Sequence, residues 1–234
     1  MCLATLAGCA VPAAHEASAP GDAHRALLAD PVRTERDRGM DTSRHPLELL
    51  QFAQVRTGMR VLDVSAGAGY TSQLLALAVG PSGKVWAQTP KPGPALNERM
   101  AAHPQSNLLV TPRPFEDPVP PDAQPLDLVT LVLNYHDISY LPVDRDAMNR
   151  RIFAALKRGG RYVVVDHSAL PGTGITAGKT LHRIDEAFVI EEVKRAGFVF
   201  DAEGAFMRNA ADDRTGSSNR PPPSDKFMLR FVKP

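Results

Sequence analysis

Four residues of different chemistry stand together at positions 134–137. The run Asn134-Tyr135-His136-Asp137 follows the apolar segment DLVTLVL, so an amide, a phenol, an imidazole and a carboxylate would meet at the end of a buried strand. The unperturbed pKa of a histidine is about 6.5, which suits His136 to general base catalysis. The run therefore predicts a substrate site. The alternative is a polar loop in which Asp137 caps the next turn.

A second polar pair, Asp166 and His167, ends another apolar run, YVVVDH. Together with Asp137 and His182, these residues would offer the oxygen and nitrogen ligands that divalent metals accept. Hydrogen bonding that orders a loop over the site is the interpretation we adopt, and no metal ligand is assigned from the sequence.

The segment LHRID at 181–185 precedes a predicted helix. Asp185 can cap that helix, because an N-cap carboxylate accepts hydrogen bonds from free backbone N–H groups. His182 and Arg183 come just before the cap, in a loop expected to fold over the strand ends. We expect them either to bind an anionic part of a substrate or to pair with Asp166.

A glycine-rich turn lies within VLDVSAGAGY, positions 61–70. Gly67 and Gly69 permit a tight turn and a close approach of a ligand to the backbone, and the helix that follows presents free N–H groups. With Asp63 on the preceding strand, the turn predicts a ligand site; the alternative is an ordinary strand-to-helix turn. No Gly-Lys-Ser/Thr follows, which excludes a nucleotide phosphate loop. Ser72 replaces the third glycine of the dinucleotide fingerprint.

These residues need a scaffold of alternating strands and helices, which apolar runs and glycine stops predict. Strands are predicted at 60–64, 84–88, 107–110, 127–133, 161–165, directly after 197–198, and at 227–232. Helices are predicted at 23–29, 32–40, 46–55, 71–79, 94–102, 144–156 and 186–196. The alternation predicts a mainly parallel sheet with helices on both faces. The last two strands, with no helix between them, should pair antiparallel at one edge.

Three local expectations accompany this scaffold. Ser43 is the candidate cap of the helix at 46–55, and Lys157 and Arg158 suit the last turn of the helix at 144–156, where cations complement the helix dipole. Trp86 is assigned to the core.

The motifs resemble those of class I S-adenosylmethionine (SAM)-dependent methyltransferases. DVSAGAG is similar to their first motif, LKRGGRYVVVDHS to their fifth strand, and IEEVKRAGFVF to their late helix and strand, over positions 46–234. More narrowly, N-Y-H-D, V-D-H and L-H-R-I-D together resemble a group of bacterial predicted methyltransferases, some of which carry signal peptides. The resemblance implies a Rossmann-like α/β fold with a seven-stranded, mainly parallel sheet, an antiparallel edge hairpin and SAM as cofactor.

Carried over position by position, the resemblance assigns cofactor binding to Asp63, Ser65, Gly67, Gly69, Tyr70, Thr89 and Asn134. It assigns the methyl-acceptor side to Asn134, Tyr135, His136 and Asp137, with His167 and His182 as secondary candidates. One departure stands out: the family has an acidic residue for the ribose hydroxyls at the end of the second strand, where this chain has the neutral Gln88 and Thr89.

The reaction implied is direct displacement at the sulfonium methyl, in which an enzyme contributes mainly alignment and the exclusion of water. Two other classes remain open. A non-catalytic ligand-binding protein on a methyltransferase scaffold would explain the missing ribose acid. A nicotinamide-dependent reductase is disfavoured by the absent third glycine and by the neutral Gln88 and Thr89.

The composition limits the classes of molecule that the protein is expected to bind. The chain has 234 residues, 43% of them apolar, with 27 Lys plus Arg against 26 Asp plus Glu and no basic stripe. Nucleic-acid binding is therefore not predicted, and a small-molecule acceptor is expected. Both cysteines, Cys2 and Cys9, precede the predicted domain, which excludes thiolate chemistry within it. No run approaches the roughly 18 apolar residues of a membrane span.

The first 21 residues are interpreted as a signal-like or disordered tail, followed by the methyltransferase-like domain at 22–234, with 22–57 as a helical cover. LAGC at 6–9 resembles a bacterial lipoprotein processing box, although Cys9 comes early and no Lys or Arg precedes it. The expectation is an exported or lipid-anchored protein; the alternative is a cytoplasmic one.

Overall fold

The computed structural model describes residues 20–234, with side chains from His24 onward. The predicted processing box with Cys9, and Cys2, lie outside the described residues. Within the described part, none of the helices combines the length and the apolar character needed to cross a membrane.

The described chain contains seven strands and nine α-helices. The strands are β1 (Arg60–Val64), β2 (Lys84–Thr89), β3 (Leu108–Pro112), β4 (Leu126–Val132), β5 (Leu156–His167), β6 (Val199–Gly204) and β7 (Lys226–Val232). The helices are α1 (Pro20–Leu27), α2 (Glu35–Arg44), α3 (Pro46–Phe52), α4 (Tyr70–Val79), α5 (Pro94–Ala102), α6 (Tyr135–Ile138), α7 (Arg145–Ala155), α8 (Gly178–Leu181) and α9 (Glu186–Arg195). A short 3₁₀ turn at Pro121–Ala123 precedes β4.

The strands form one sheet in the order β3-β2-β1-β4-β5-β7-β6. The pairs among β1 to β5 are parallel, whereas β7 runs antiparallel between β5 and β6. The Rossmann-like α/β fold and its antiparallel edge hairpin are confirmed. Strands β2 and β3 are added on one side of β1 and β4 on the other. The carboxyl ends of β1 and β4 therefore flank a switch point, where ligands bind in such folds.

The sheet is covered on both faces, as its apolar strands require. One core cluster contains Trp86 with Leu62 and Phe231, and the other contains Val61 with Leu75 and Met228. Trp86 is 1% exposed, which confirms its core assignment.

Two local expectations were wrong. The residue before α3 is His45, in a left-handed conformation with φ 46° and no side-chain cap, because α2 continues to Arg44 and includes Ser43. Lys157 and Arg158 lie in β5, since α7 ends at Ala155 and the chain turns directly into the strand. Tertiary pairing extends β5 beyond the apolar run that marked it in the sequence.

Side-chain caps stabilise the first turns of two helices, α2 and α9. Asp185 accepts from the Ala187 N–H, which confirms the predicted cap of α9. Thr34 and Asp37 form a capping box at the start of α2, in which each side chain accepts from the other's backbone N–H. This box fixes where α2 begins, and α2 forms one wall of the site described next.

Candidate active site

A cavity of about 550 Å³ opens at the carboxyl ends of β1 and β4. Its walls are α2, the turn Ser65–Gly69 (hereafter the glycine turn), α5 and residues 132–134 at the end of β4. It lies at the switch point of the sheet, where the fold predicts a ligand. Of the sequence-predicted cofactor residues, Asp63, Ser65, Gly67, Tyr70 and Asn134 line this cavity.

The two glycines of the turn have different structural roles. Gly67 has φ 56°, and a Cβ there would meet nothing closer than 4.0 Å, so its backbone is open to the cavity. Gly69 has φ 82°, and a Cβ there would lie 2.9 Å from Leu96 and 3.0 Å from Arg99. Gly69 is therefore favoured by its backbone conformation and by close packing against α5, and it is not part of the cavity lining.

Ser65 begins the turn with φ 60°, a backbone conformation that L-residues rarely adopt. Its N–H donates to Gln88 Oε1 at 3.0 Å, and Gln88 Nε2 donates to the Arg113 carbonyl at 2.7 Å. An amide performs both functions, whereas a carboxylate could not donate. The buried Gln88 side chain thus links β2 to the glycine turn by hydrogen bonding. Thr89 is not among the residues that line the cavity.

Asp63 is 2% exposed and accepts hydrogen bonds from two hydroxyls, Ser72 at 2.5 Å and Thr130 at 2.7 Å. Burial raises the pKa of its carboxyl to about 6, although these hydrogen bonds oppose the shift. Asp63 therefore joins β1, α4 and β4 at the cavity floor, where it contributes negative charge.

The cavity wall opposite the sheet is held by an ion pair that the sequence analysis did not find. Arg99 on α5 donates to both carboxylate oxygens of Asp37 on α2, at 2.8 and 2.6 Å, and to the Ala68 carbonyl at 2.7 Å. Burial opposes the charge of Asp37, but the bonds from Arg99 and Thr34 lower the pKa of its carboxyl to about 2. Arg99 thereby joins α2, α5 and the glycine turn.

Tyr70 and Arg44 complete this side of the cavity. The Tyr70 hydroxyl donates to Asp41 at 2.7 Å, which ties the start of α4 to α2. The Arg44 guanidinium lies 5.9 Å from the centre of the Tyr70 ring and has no hydrogen-bond or ion-pair partner among residues 24–234. Burial lowers the pKa of Arg44. A cation in such surroundings suits a carboxylate-bearing ligand.

The second group of polar side chains consists of His136, Asp137, Asp166 and His182, hereafter the His–Asp cluster. His136 Nδ1 lies 2.6 Å from Asp166 Oδ1, and Asp137 Oδ1 lies 3.3 Å from His136 Nε2 and 3.2 Å from His182 Nδ1. Burial would lower the pKa of His136, but the hydrogen bond and charge of Asp166 outweigh it, so the pKa is raised.

Asn134 joins the cavity to this cluster. The Ser65 hydroxyl donates to Asn134 Oδ1 at 2.6 Å, and Asn134 Nδ2 donates to Asp137 Oδ2 at 3.2 Å. One side chain therefore contacts both the glycine turn and the His–Asp cluster.

Tyr135 and His167, which were also predicted on the acceptor side, make their polar contacts outside the His–Asp cluster. The Tyr135 hydroxyl is buried away from the cluster, where it donates to Glu192 and accepts from Asn149. His167 stacks edge-on against His136 with centroids 5.7 Å apart, but its Nδ1 contacts the Ser224 hydroxyl. Burial, followed by the charges of Lys226 and His136, lowers the pKa of His167 to about 3, so its ring is neutral.

The structure contradicts both expectations for Arg183, which were binding of an anionic substrate group and pairing with Asp166. It is 1% exposed and pairs with both carboxylate oxygens of Asp212 at 2.7 and 3.0 Å, not with Asp166. Its guanidinium joins the loop between β6 and β7 to the end of β5 by hydrogen bonds. Asp166 pairs with His136 instead.

Known proteins share this fold and part of this sequence. No family model matches the chain. The ubiquinone/menaquinone biosynthesis C-methyltransferase UbiE of Burkholderia multivorans is 32% identical over 122 residues, which cover 50% of this chain and 46% of the relative. The corresponding protein of Cupriavidus metallidurans is 30% identical over the same length. The chain thus spans about half the length of the curated relatives it matches.

Solved structures match more of the chain at lower identity. A SAM-dependent methyltransferase from Aquifex aeolicus aligns with a TM-score of 0.64 at 17% identity, covering 92% of this chain and 99% of that one. Another from Mesorhizobium loti aligns with a TM-score of 0.58 at 16% identity, covering 81% and 97%. These neighbours show the fold. The relatives are methyltransferases by name, and both neighbours are SAM-dependent methyltransferases by name.

Proposed function

We propose that this protein transfers the methyl group of SAM, by direct displacement, to a small-molecule acceptor placed at the His–Asp cluster. The observation that carries the proposal is the position of Asn134, which accepts from Ser65 on the glycine turn and donates to Asp137 in the cluster. A donor over the turn and an acceptor at the cluster would then be neighbours.

The cavity residues fit SAM at three points. Gly67 leaves backbone open to a ligand, as the glycine turn requires. Arg44 is a cation without a partner among the described residues, and it suits the SAM carboxylate. Asp63 places negative charge at the cavity floor, which suits the cationic donor. When bound, SAM supplies a methyl group on a positively charged sulfur.

The residues expected to bind the ribose differ from the family pattern. Gln88 is turned into the protein and Thr89 does not line the cavity, so neither is assigned to the ribose hydroxyls. Glu98 on α5 lines the cavity and is exposed. We assign to Glu98 the acceptor role that an acid at the end of β2 has in the family.

The residues of the chain act mainly by alignment. Asn134 orients the turn relative to the cluster, α2 and α5 exclude water from one side, and the cluster holds the acceptor atom and promotes loss of its proton. Holding two reactants in line contributes about 7–11 kcal/mol to the lowering of such barriers.

Calorimetric titration of SAM and S-adenosylhomocysteine tests the proposal. Ala68 is exposed on the cavity wall, and its φ is not positive, so Ala68→Phe fills the cavity without backbone strain. Ala101→Phe, at an exposed alanine outside the cavity lining, is the matched control. Micromolar binding that Ala68→Phe abolishes and Ala101→Phe retains is the expected result.

Absence of binding at millimolar SAM would overturn the enzyme proposal and favour the ligand-binding protein on the same scaffold. If both ligands bind, methylation of a panel of hydroxyl-bearing and carbon-nucleophile small molecules, with His182→Asn as the inactive comparison, identifies the acceptor class.

A further inference from the structure

We propose that His136, Asp137 and His182 bind one divalent transition-metal ion. Each of the three offers a ligand atom, and these atoms all lie within 4.8 Å of one another. They come from two separate elements, α6 and the end of α8, so the fold rather than a local motif brings them together.

The spacing matches a coordination shell. A tetrahedral ion with nitrogen and oxygen ligands at 2.0–2.2 Å places neighbouring ligand atoms about 3.4 Å apart. Asp137 Oδ1 lies 3.3 Å from His136 Nε2 and 3.2 Å from His182 Nδ1. Two edges of the shell are therefore already formed. His182 is 38% exposed in its side chain, so its ring has room to adjust to the third edge.

The orientation of His136 is that of a metal ligand. Its Nδ1–H donates to Asp166, which is fully buried and also accepts from the His136 backbone N–H at 2.8 Å. This arrangement fixes the ring and leaves Nε2, 3.3 Å from Asp137 Oδ1, as the ring atom available to an ion. Metal-binding histidines typically donate their second ring N–H to a carboxylate in this way.

The ligand set indicates the class of metal. Two imidazoles and one carboxylate suit zinc, iron, cobalt or nickel better than magnesium or calcium, which take mainly oxygen ligands. Three protein ligands leave a position for water or substrate, as in catalytic zinc sites. One consequence rests on the proposed function: an ion here would bind the acceptor atom and lower the pKa of its proton. Metal binding itself does not depend on methyl transfer.

Zinc is the probe for the test. The 234-residue chain is used with Cys2→Ser and Cys9→Ser, so that thiolates outside the described residues do not contribute. Zinc content after gel filtration, and zinc affinity by competition with a chromogenic chelator, are measured for this parent and for His182→Asn and Asp137→Asn.

His45 provides a matched control. His45 and His182 both occupy left-handed positions at helix ends, with φ 46° and 53°, and their side chains are 36% and 38% exposed. Asparagine tolerates this conformation, so His45→Asn and His182→Asn remove one imidazole each at similar backbone cost. Melting temperatures confirm that all variants fold.

We expect one zinc ion per parent chain, retained by His45→Asn. His182→Asn and Asp137→Asn should each reduce the affinity by more than the roughly 10–100-fold typical of substitutions behind a ligand. Absence of zinc from the parent, or binding that survives both cluster substitutions, would overturn the site. Calorimetry with SAM on the same samples separates the two proposals. SAM binding without zinc binding refutes the metal site alone, and zinc binding without SAM binding supports the metal site and refutes the methyltransferase.

Discussion

Asp166 accepts two hydrogen bonds from one residue, His136: one from its backbone N–H at 2.8 Å and one from its ring Nδ1 at 2.6 Å. The carboxylate at the end of β5 thus fixes both the position of α6 and the direction in which the His136 ring faces. The sequence predicts both residues at strand ends, but not their contact.

Asp166→Asn should loosen this orientation. We expect zinc affinity to fall about 10–100-fold, as substitutions behind metal-binding histidines typically do, with SAM affinity unchanged. Chelator competition and calorimetry measure the two quantities. Asp146→Asn, at an exposed carboxylate paired with Arg195 on α9, should change neither. Equal zinc affinity in the Asp166 and Asp146 variants would show that Asp166 does not position His136 for metal binding.

Asn134→Ala removes the side chain between the glycine turn and the His–Asp cluster. The loss of two hydrogen bonds near the donor should weaken SAM binding about ten-fold, since each bond contributes about 0.5–1.5 kcal/mol. Calorimetry measures the change. Asn97→Ala, at an exposed position on α5 outside the cavity lining, should bind SAM as the parent does. A similar affinity in both variants would contradict the placement of the donor beside Asn134.

Arg99→Ala breaks a buried ion pair and leaves Asp37, 2% exposed in its side chain, without its guanidinium. Such a loss costs about 3–5 kcal/mol of folding free energy, and the freed α2 should also weaken SAM binding. Urea unfolding measures the stability. Arg151→Ala breaks an exposed pair with Asp117 and should cost less than about 1 kcal/mol. Comparable losses in the two variants would show that the cavity wall does not depend on Arg99.

Asp63 should make stability depend on pH. Its folded pKa is about 6, above the ordinary 3.8, so the folded state binds the proton more tightly than the unfolded chain. The stabilisation is full below the unfolded pKa and is lost as pH rises through about 6, a change of about 3 kcal/mol. Asp63→Asn should remove this dependence. Urea unfolding of parent and variant over about pH 4–7 measures it, and parallel curves would contradict a raised pKa.

Much of the scaffold was predictable because apolar periodicity and glycine stops are local signals. The helix at 94–102 was predicted with its observed bounds, and β1, β2 and β7 within a residue or so. The pairing of the last two strands followed from the absence of a helix between them. The ends of α2 and β5 were not predictable, since a capping box and a neighbouring strand determine them.

The sequence by itself determined which residue types reach the site: the glycine turn after β1, the N-Y-H-D run after β4 and the Asp-His pair at the end of β5, because each stands at the end of a buried strand. Only the tertiary structure decided their partners. Asp37 meets Arg99 across 62 positions and His136 meets Asp166 across 30. Gln88 and Tyr135 turn inward, while His182 turns toward Asp137. Side-chain pairing depends on how distant elements pack and on which polar groups remain unsatisfied there, and no local pattern encodes either.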